Sequence, residues 1–365
     1  MVVPALPLRT LLLYAGGSAS RTLSYQVGWP KAFVQDARFA VTGVDVAGEG
    51  ALHQLASVLR TRRRYDLMVV LHSVTSQGSS LPPRMVRAIE GNSTPLAFFM
   101  GNEYKLIPEK LDFAEQLGTD LLISQTDDPG VLDLYSQRLG CPVVGIPGGG
   151  LDPDTFRPEV PLRDRTLDIG MRAHDEPIYF GHQDRRTIAA ATEIAAARRG
   201  LKVDISFDPA QRLTPVAYAA FLNSCRSQLG TEGGTDYFDL LDETRHTVNA
   251  YVDAHPQAAL DDLEREVFRH AEAQGCRMLT GRHVEAAATR TVQILFRGRY
   301  CSLFEPGVHY IPVSRDLSDL EQALDTLADD AACERIAGNA YDVVMAELTY
   351  TRLLDRFLDA VQPIL

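Results

Sequence analysis

The sequence predicts a doubly wound α/β protein in two domains, on three observations. At 365 residues the chain exceeds one ordinary core and suits two. Short apolar runs alternate with amphipathic stretches in two separate series, the pattern of parallel sheets covered on both faces. Between the two series the pattern breaks into glycine and proline, which places a first domain at 1–147, a linker at 148–162 and a second domain at 163–348.

In the first series the strands are expected at Leu11–Tyr14, Phe39–Val44, Leu67–Leu71, Pro95–Met100, Leu121–Ser124 and Pro142–Ile146, with helices such as Ala51–Arg63 and Pro83–Glu90 between them. This half reads as Rossmann-like. The linker opens with Ile146-Pro147-Gly148-Gly149-Gly150-Leu151-Asp152, where glycine tolerates positive φ and proline cannot continue a sheet or helix. The second series places strands at Leu167–Gly170, Leu201–Phe207, Cys225–Gly230, Val292–Phe296 and Tyr310–Val313, with helices at Arg186–Arg198 and Arg282–Arg290. The Asp-, Glu-, His- and Ala-rich stretch from 237 to 275 reads as a helical insertion. Ser318-Asp319-Leu320-Glu321 has the form of a capping box opening a helix. Two helices, at about Ala331–Glu347 and Thr351–Val361, end the sequence, and residues 349–365 form a closing helix.

A net charge of -12 argues against a nucleic-acid partner, since phosphate binding needs a basic surface. Arginine nevertheless supplies nearly all the positive charge, lysine occurring only at Lys31, Lys105, Lys110 and Lys202. Arginine suits a bidentate grip on phosphate, so a local basic pocket stays open. The five cysteines are odd in number and never spaced as metal-binding pairs, which points to a reducing, cytoplasmic compartment. The N-terminal apolar stretch reads as a first strand, and no apolar run reaches the roughly 20 residues that cross a bilayer.

The segment Val144-Gly145-Ile146-Pro147-Gly148-Gly149-Gly150-Leu151-Asp152-Pro153-Asp154-Thr155-Phe156-Arg157-Pro158 resembles the interdomain signature of GT-B glycosyltransferases, which reads Pro-Asn-Gly-Val-Asp, a short gap, then Phe-x-Pro. Gly148 stands where the family usually has asparagine. Downstream, Gly281-Arg282-His283-Val284-Glu285-Ala286-Ala287-Ala288 followed by Phe304-Glu305-Pro306-Gly307 looks like the donor-binding helix and loop of the family 1 and CgeB-like members, and the tail is similar to their closing helices. The resemblance implies a GT-B fold, two Rossmann-like domains facing across a cleft with closing helices at the C-terminus. It implies further that a nucleotide-sugar donor linked to UDP, GDP or dTDP sits mainly on the second domain and a hydroxyl-bearing acceptor, a small molecule or a glycan, on the first. No metal is expected, arginines and helix N-termini neutralising the diphosphate instead.

On this resemblance Glu285 matches the family glutamate that accepts hydrogen bonds from the donor ribose. Retaining members carry another glutamate with seven residues between; here that position is Arg277, so stereochemistry does not follow. Arg282 and His283 precede the helix and are candidates to meet the diphosphate, against a plain reading as solvated or capping residues. Arg172 and the loop around Gly181 and His182 occupy the first strand-to-helix connection of the second domain. Glu232 and Gly233 lie in a glycine-rich turn that is either a sugar-contacting loop or an ordinary turn. Gly17 follows the first strand of the first domain, without a dinucleotide fingerprint. For an inverting transfer, which needs a base on the acceptor hydroxyl, the strand-end residues Glu103 and then His72 are the candidates. The competing readings are a GT-B-like protein without transferase activity that binds a sugar or partner chain as an accessory subunit, motivated by Arg277, and a sugar-nucleotide epimerase.

Overall fold

The computed structural model describes residues 7–16, 24–60, 65–75, 81–90 and 92–365. In the first domain β1 (Leu8–Tyr14), β2 (Phe39–Asp45), β3 (Leu67–Val70), β4 (Leu96–Phe99), β5 (Leu121–Ser124) and β6 (Val143–Gly145) form an all-parallel sheet in the order β2-β1-β3-β4-β5-β6. Helices α1 (Ser24–Gln35), α2 (Ala51–Arg60), α3 (Pro83–Ile89), α4 (Ile107–Gln116) and α5 (Pro129–Leu139) link them. All four residues of each of β3, β4 and β5 are buried, so these central strands read as unbroken apolar runs.

In the second domain β7 (Leu167–Arg172), β8 (Val203–Ser206), β9 (Cys225–Gly230), β12 (Val292–Phe296) and β13 (Ile311–Val313) form a parallel sheet in the order β13-β12-β9-β7-β8. Helices α6 (Asp184–Arg199) and α7 (Pro215–Ser224) precede the insertion, which holds α8 (Glu243–Ala254) and α9 (Leu260–Glu266). A two-stranded antiparallel ribbon, β10 (Gly233–Thr235) with β11 (Cys276–Met278), closes the insertion at its base. The insertion touches the first domain as well: Phe238 packs edge-on against Tyr135, and Asp242 accepts the Leu106 N–H at 2.7 Å. Then follow α10 (Gly281–Ala288), α11 (Leu320–Leu327), α12 (Asp330–Glu347) and α13 (Tyr350–Val361). In both sheets the strand order reverses beside the first strand, between β1 and β3 and between β7 and β9. Open α/β sheets place ligands outside the carboxyl ends of the strands at such a point.

Two local expectations change. A helix does open at Leu320, but Ser318 does not cap it; its hydroxyl bonds Asp316, while Asp319 turns back to accept from Ser314. The linker glycines do not adopt positive φ. They supply room: a Cβ on Gly150 would press on Tyr350 and Leu353, one on Gly148 on the Gln125 amide, and one on Gly149 on Tyr25 and the Gly281 backbone.

The closing helix α13 crosses back to the first domain. Phe357, fully buried, packs on Phe33 at 5.3 Å, Phe99 at 5.4 Å and Phe39 at 6.3 Å, and Tyr350 meets Trp29 edge-on at 5.6 Å. Arg38 pairs with Asp355 at 2.6 Å, and the Leu151 N–H donates to Leu348 at 2.7 Å. Because this aromatic cluster joins chain ends far apart in sequence, Phe357→Ala is expected to cost about 3–5 kcal/mol in urea denaturation.

Candidate functional site

The carboxyl ends of both sheets face each other across a cleft of about 300 Å³. Helix α10 begins at its floor. The Thr280 N–H donates to His283 Nδ1 at 3.0 Å, which fixes the start of the helix and leaves the ring proton on Nε2, toward the Thr231 backbone. Burial pushes His283 down to about 3, so the ring is neutral and brings a donor rather than a charge.

One turn on, Glu285 is buried with its carboxylate at the cleft. Arg282 Nη1 donates to its Oε2 at 3.1 Å, and the hydroxyl of Ser24, from the first domain, donates to Oε1. Burial raises the Glu285 carboxyl, and Arg282 and Ser24 pull it back. The Arg282 guanidinium lies over the Tyr218 ring at 3.8 Å; the Tyr218 hydroxyl donates to Gln228 at 2.7 Å, and Gln228 donates to the Arg282 carbonyl at 3.3 Å. The carboxylate is thus aimed by a closed set of neighbours.

Above α10, Arg185 and Arg212 complete a cationic wall. Arg185 is steered by buried Glu176, which accepts its backbone N–H at 3.1 Å and lies 3.3 Å from its Nε. On the rim His174 is pushed down to about 4, by desolvation first and then by Arg185, Arg212 and Arg282. Three guanidinium groups therefore bear on one imidazole, a surrounding that favours an anion.

Of the residues singled out from sequence, Glu285, Arg282, His283, Arg172 and Gly233 line the cleft. Arg172 is already engaged, lying over Phe221 at 4.1 Å and paired with Asp204 at 2.8 Å. The other described ones are not among the lining residues. Glu103 is fully buried and accepts from the Ser124 hydroxyl at 2.7 Å and from the Gln125 N–H, a brace between strand ends. His72 is buried beneath Tyr25, ring centroids 5.0 Å apart. Neither is among the residues that line the cleft. Glu232 turns away to accept the Tyr300 N–H at 2.7 Å. His182 contacts the Gly234 carbonyl at 3.1 Å from outside the cleft, and Gly181, at φ 76°, is covered by Tyr237. Gly17 lies outside the described residues. Arg277 is spent on Asp236 at 2.7 Å and Asp184 at 3.2 Å, two carboxylates it shares with Arg315.

The first-domain wall is made by Ser24, Tyr25, Tyr104 and Gln125. These were not singled out, nor were Arg185, Arg212, His174, Tyr218 and Gln228. Tyr104 and Arg185 do fall in segments that the strand ends point to. Tyr218 and Gln228 give no signal, because a buried tyrosine on a helix reads as core.

No protein-family profile matches the chain. One curated relative, the uncharacterized protein 027R of Frog virus 3, is 38% identical over 66 residues, a match that spans 18% of this chain and 7% of that protein's length. Solved structures similar along nearly the whole chain include an α-glucosyltransferase in complex with UDP and DNA, at TM-score 0.57 and 10% identity over 97% of this chain and 99% of that one. A glycosyltransferase from Rickettsia africae has TM-score 0.53 and 10% identity, covering 98% of each chain. Anabaena Alr3699/HepE in complex with UDP-glucose has TM-score 0.50 and 12% identity over 98% of this chain and 100% of that one. The likeness is one of fold, and the fold is GT-B, two Rossmann-like domains across a cleft.

His72 gives a pH-dependent signature. Burial pushes it to about 4 from an ordinary value of 6.5, so the unfolded chain binds the extra proton between those values and stability is lost as pH falls through that window. From pH 7 to pH 5 the wild type is expected to lose about 2 kcal/mol more than His72→Phe in urea denaturation. Parallel losses would contradict the assignment of His72 as a buried neutral ring.

Proposed function

We propose that the protein is a glycosyltransferase that moves a sugar from a nucleoside-diphosphate donor, held on the second domain, to a hydroxyl of an acceptor on the first. The observation that carries this reading is Glu285, a buried carboxylate on α10 facing the cleft beside Arg282 and the helix N-terminus. A carboxylate accepts two hydroxyl protons at once, which suits the vicinal hydroxyls of a ribose. The positive end of α10, with Arg185, Arg212 and Arg282, suits the diphosphate. Solved proteins of this fold are described in complex with UDP and UDP-glucose, which supports a nucleotide-sugar donor.

As the bond from the sugar to the diphosphate breaks, negative charge grows on the departing phosphate. Arginines held in place before the reaction stabilise that charge without reorganising, the part a divalent cation plays in other folds. Gly233 and Gly234 border the cleft beside the start of α10, and closure at the 148–150 linker would exclude water that otherwise hydrolyses the donor. Five unpaired thiols favour a reducing compartment, the cytoplasm. Among the described residues no helix is long and apolar enough to cross a membrane.

Titration calorimetry with UDP, GDP and dTDP is expected to show binding of one of them, and release of that nucleotide from its sugar conjugate shows turnover. Glu285→Gln keeps the shape but loses the charge-assisted bonds to ribose, so affinity should fall on the order of ten- to a hundred-fold. Binding without turnover would favour the non-catalytic reading, and no binding of any of the three would sink the transferase.

A further inference from the structure

The two walls of the cleft differ in kind. The second domain contributes guanidinium groups, whereas the described side chains of the first domain that reach the cleft are Ser24, Tyr25, Tyr104 and Gln125, none of them charged at neutral pH. Both phenols are raised from their ordinary value by burial and stay protonated.

Their rings are held in place. Tyr25 lies over His72 with centroids 5.0 Å apart, and Tyr104 meets Phe180 edge-on at 4.7 Å while its hydroxyl donates to Asn102 at 3.0 Å. Gln125 lines the same wall, with its amide against Gly148 and its backbone N–H tied to Glu103. Glu103 and His72 thus support this wall from behind.

Building on the transferase reading, we propose that the acceptor is an uncharged pyranoside whose ring packs on Tyr25 and Tyr104 while Gln125 bonds its hydroxyls. A pyranose has a face of C–H groups and an edge of hydroxyls, which matches a wall that carries two aromatic rings and an amide. A phosphorylated or carboxylated acceptor would bring its charge to a wall on which no described side chain is cationic, and would lose hydration without a partner there. A flat phenol would use the rings and leave the amide unsatisfied.

Saturation-transfer NMR on the full chain with saturating nucleotide tests this, using methyl β-glucopyranoside, glucose 6-phosphate and 4-nitrophenol as separate probes. The glycoside is expected to receive saturation at its ring C–H protons, and Tyr25→Leu and Tyr104→Leu each to weaken it by about tenfold, with the nucleotide Kd unchanged. If nucleotide binds and the glycoside gives no signal, or the phosphate or phenol is preferred, this inference is overturned and the transferase reading stands. If no nucleotide binds, both fall. A glycoside signal that neither leucine variant weakens would overturn the assignment to this wall.

Discussion

Helix α10 can meet the first domain only because the backbone at Gly148–Gly150 passes with almost no clearance. Gly149 lies between Tyr25 and the Gly281 backbone, and Gly150 lies on Tyr350. A side chain at Gly149 would press between Tyr25 and the start of α10, and one at Gly150 would press on α13 at Tyr350 and Leu353. The same contact is held from the other side by α13, whose Phe357 and Tyr350 are built into the aromatic core of the first domain. The cleft is therefore set by close packing at its hinge, and the polar residues along it inherit their spacing from that packing.

Within this frame the charges are unevenly divided. A chain of net charge -12 gathers Arg172, Arg185, Arg212 and Arg282 on one side of a single cleft. Glu285 is buried and its partner Arg282 partly exposed, and such a pair contributes little net stability because the carboxylate leaves water. Its persistence makes sense as a prepared binding group. His283, neutral at the helix start, lets the N–H groups there act without a second positive charge crowding Arg282.

Much of the fold was legible because central parallel strands are buried on both faces. Leu67–Val70, Leu96–Phe99 and Leu121–Ser124 therefore stand out as apolar runs. The ribbon of β10 and β11 was not legible, since three-residue strands show no period. Helix α10 could be picked out by its glycine start and its Glu285, and it borders the cleft. Glu103 and His72 show the opposite case. A position at a strand end places a residue near the cleft, but the backbone path decides whether the side chain faces it, and both turn inward. Glu232 and His182 fall short for the same reason. Tyr25, Tyr104 and Tyr218 are aromatic residues whose sequence surroundings do not separate a cleft lining from a core.

The central claim is that the cleft floor, from the glycine turn after β9 to the start of α10, receives a nucleoside diphosphate. Hydrogen–deuterium exchange with and without the bound nucleotide tests this most directly. The account predicts that protection rises at residues 230–234 and 281–288, with the linker at 148–150 following as the cleft closes. Protection confined to the outer helices, with 281–288 unchanged under saturating nucleotide, would contradict it.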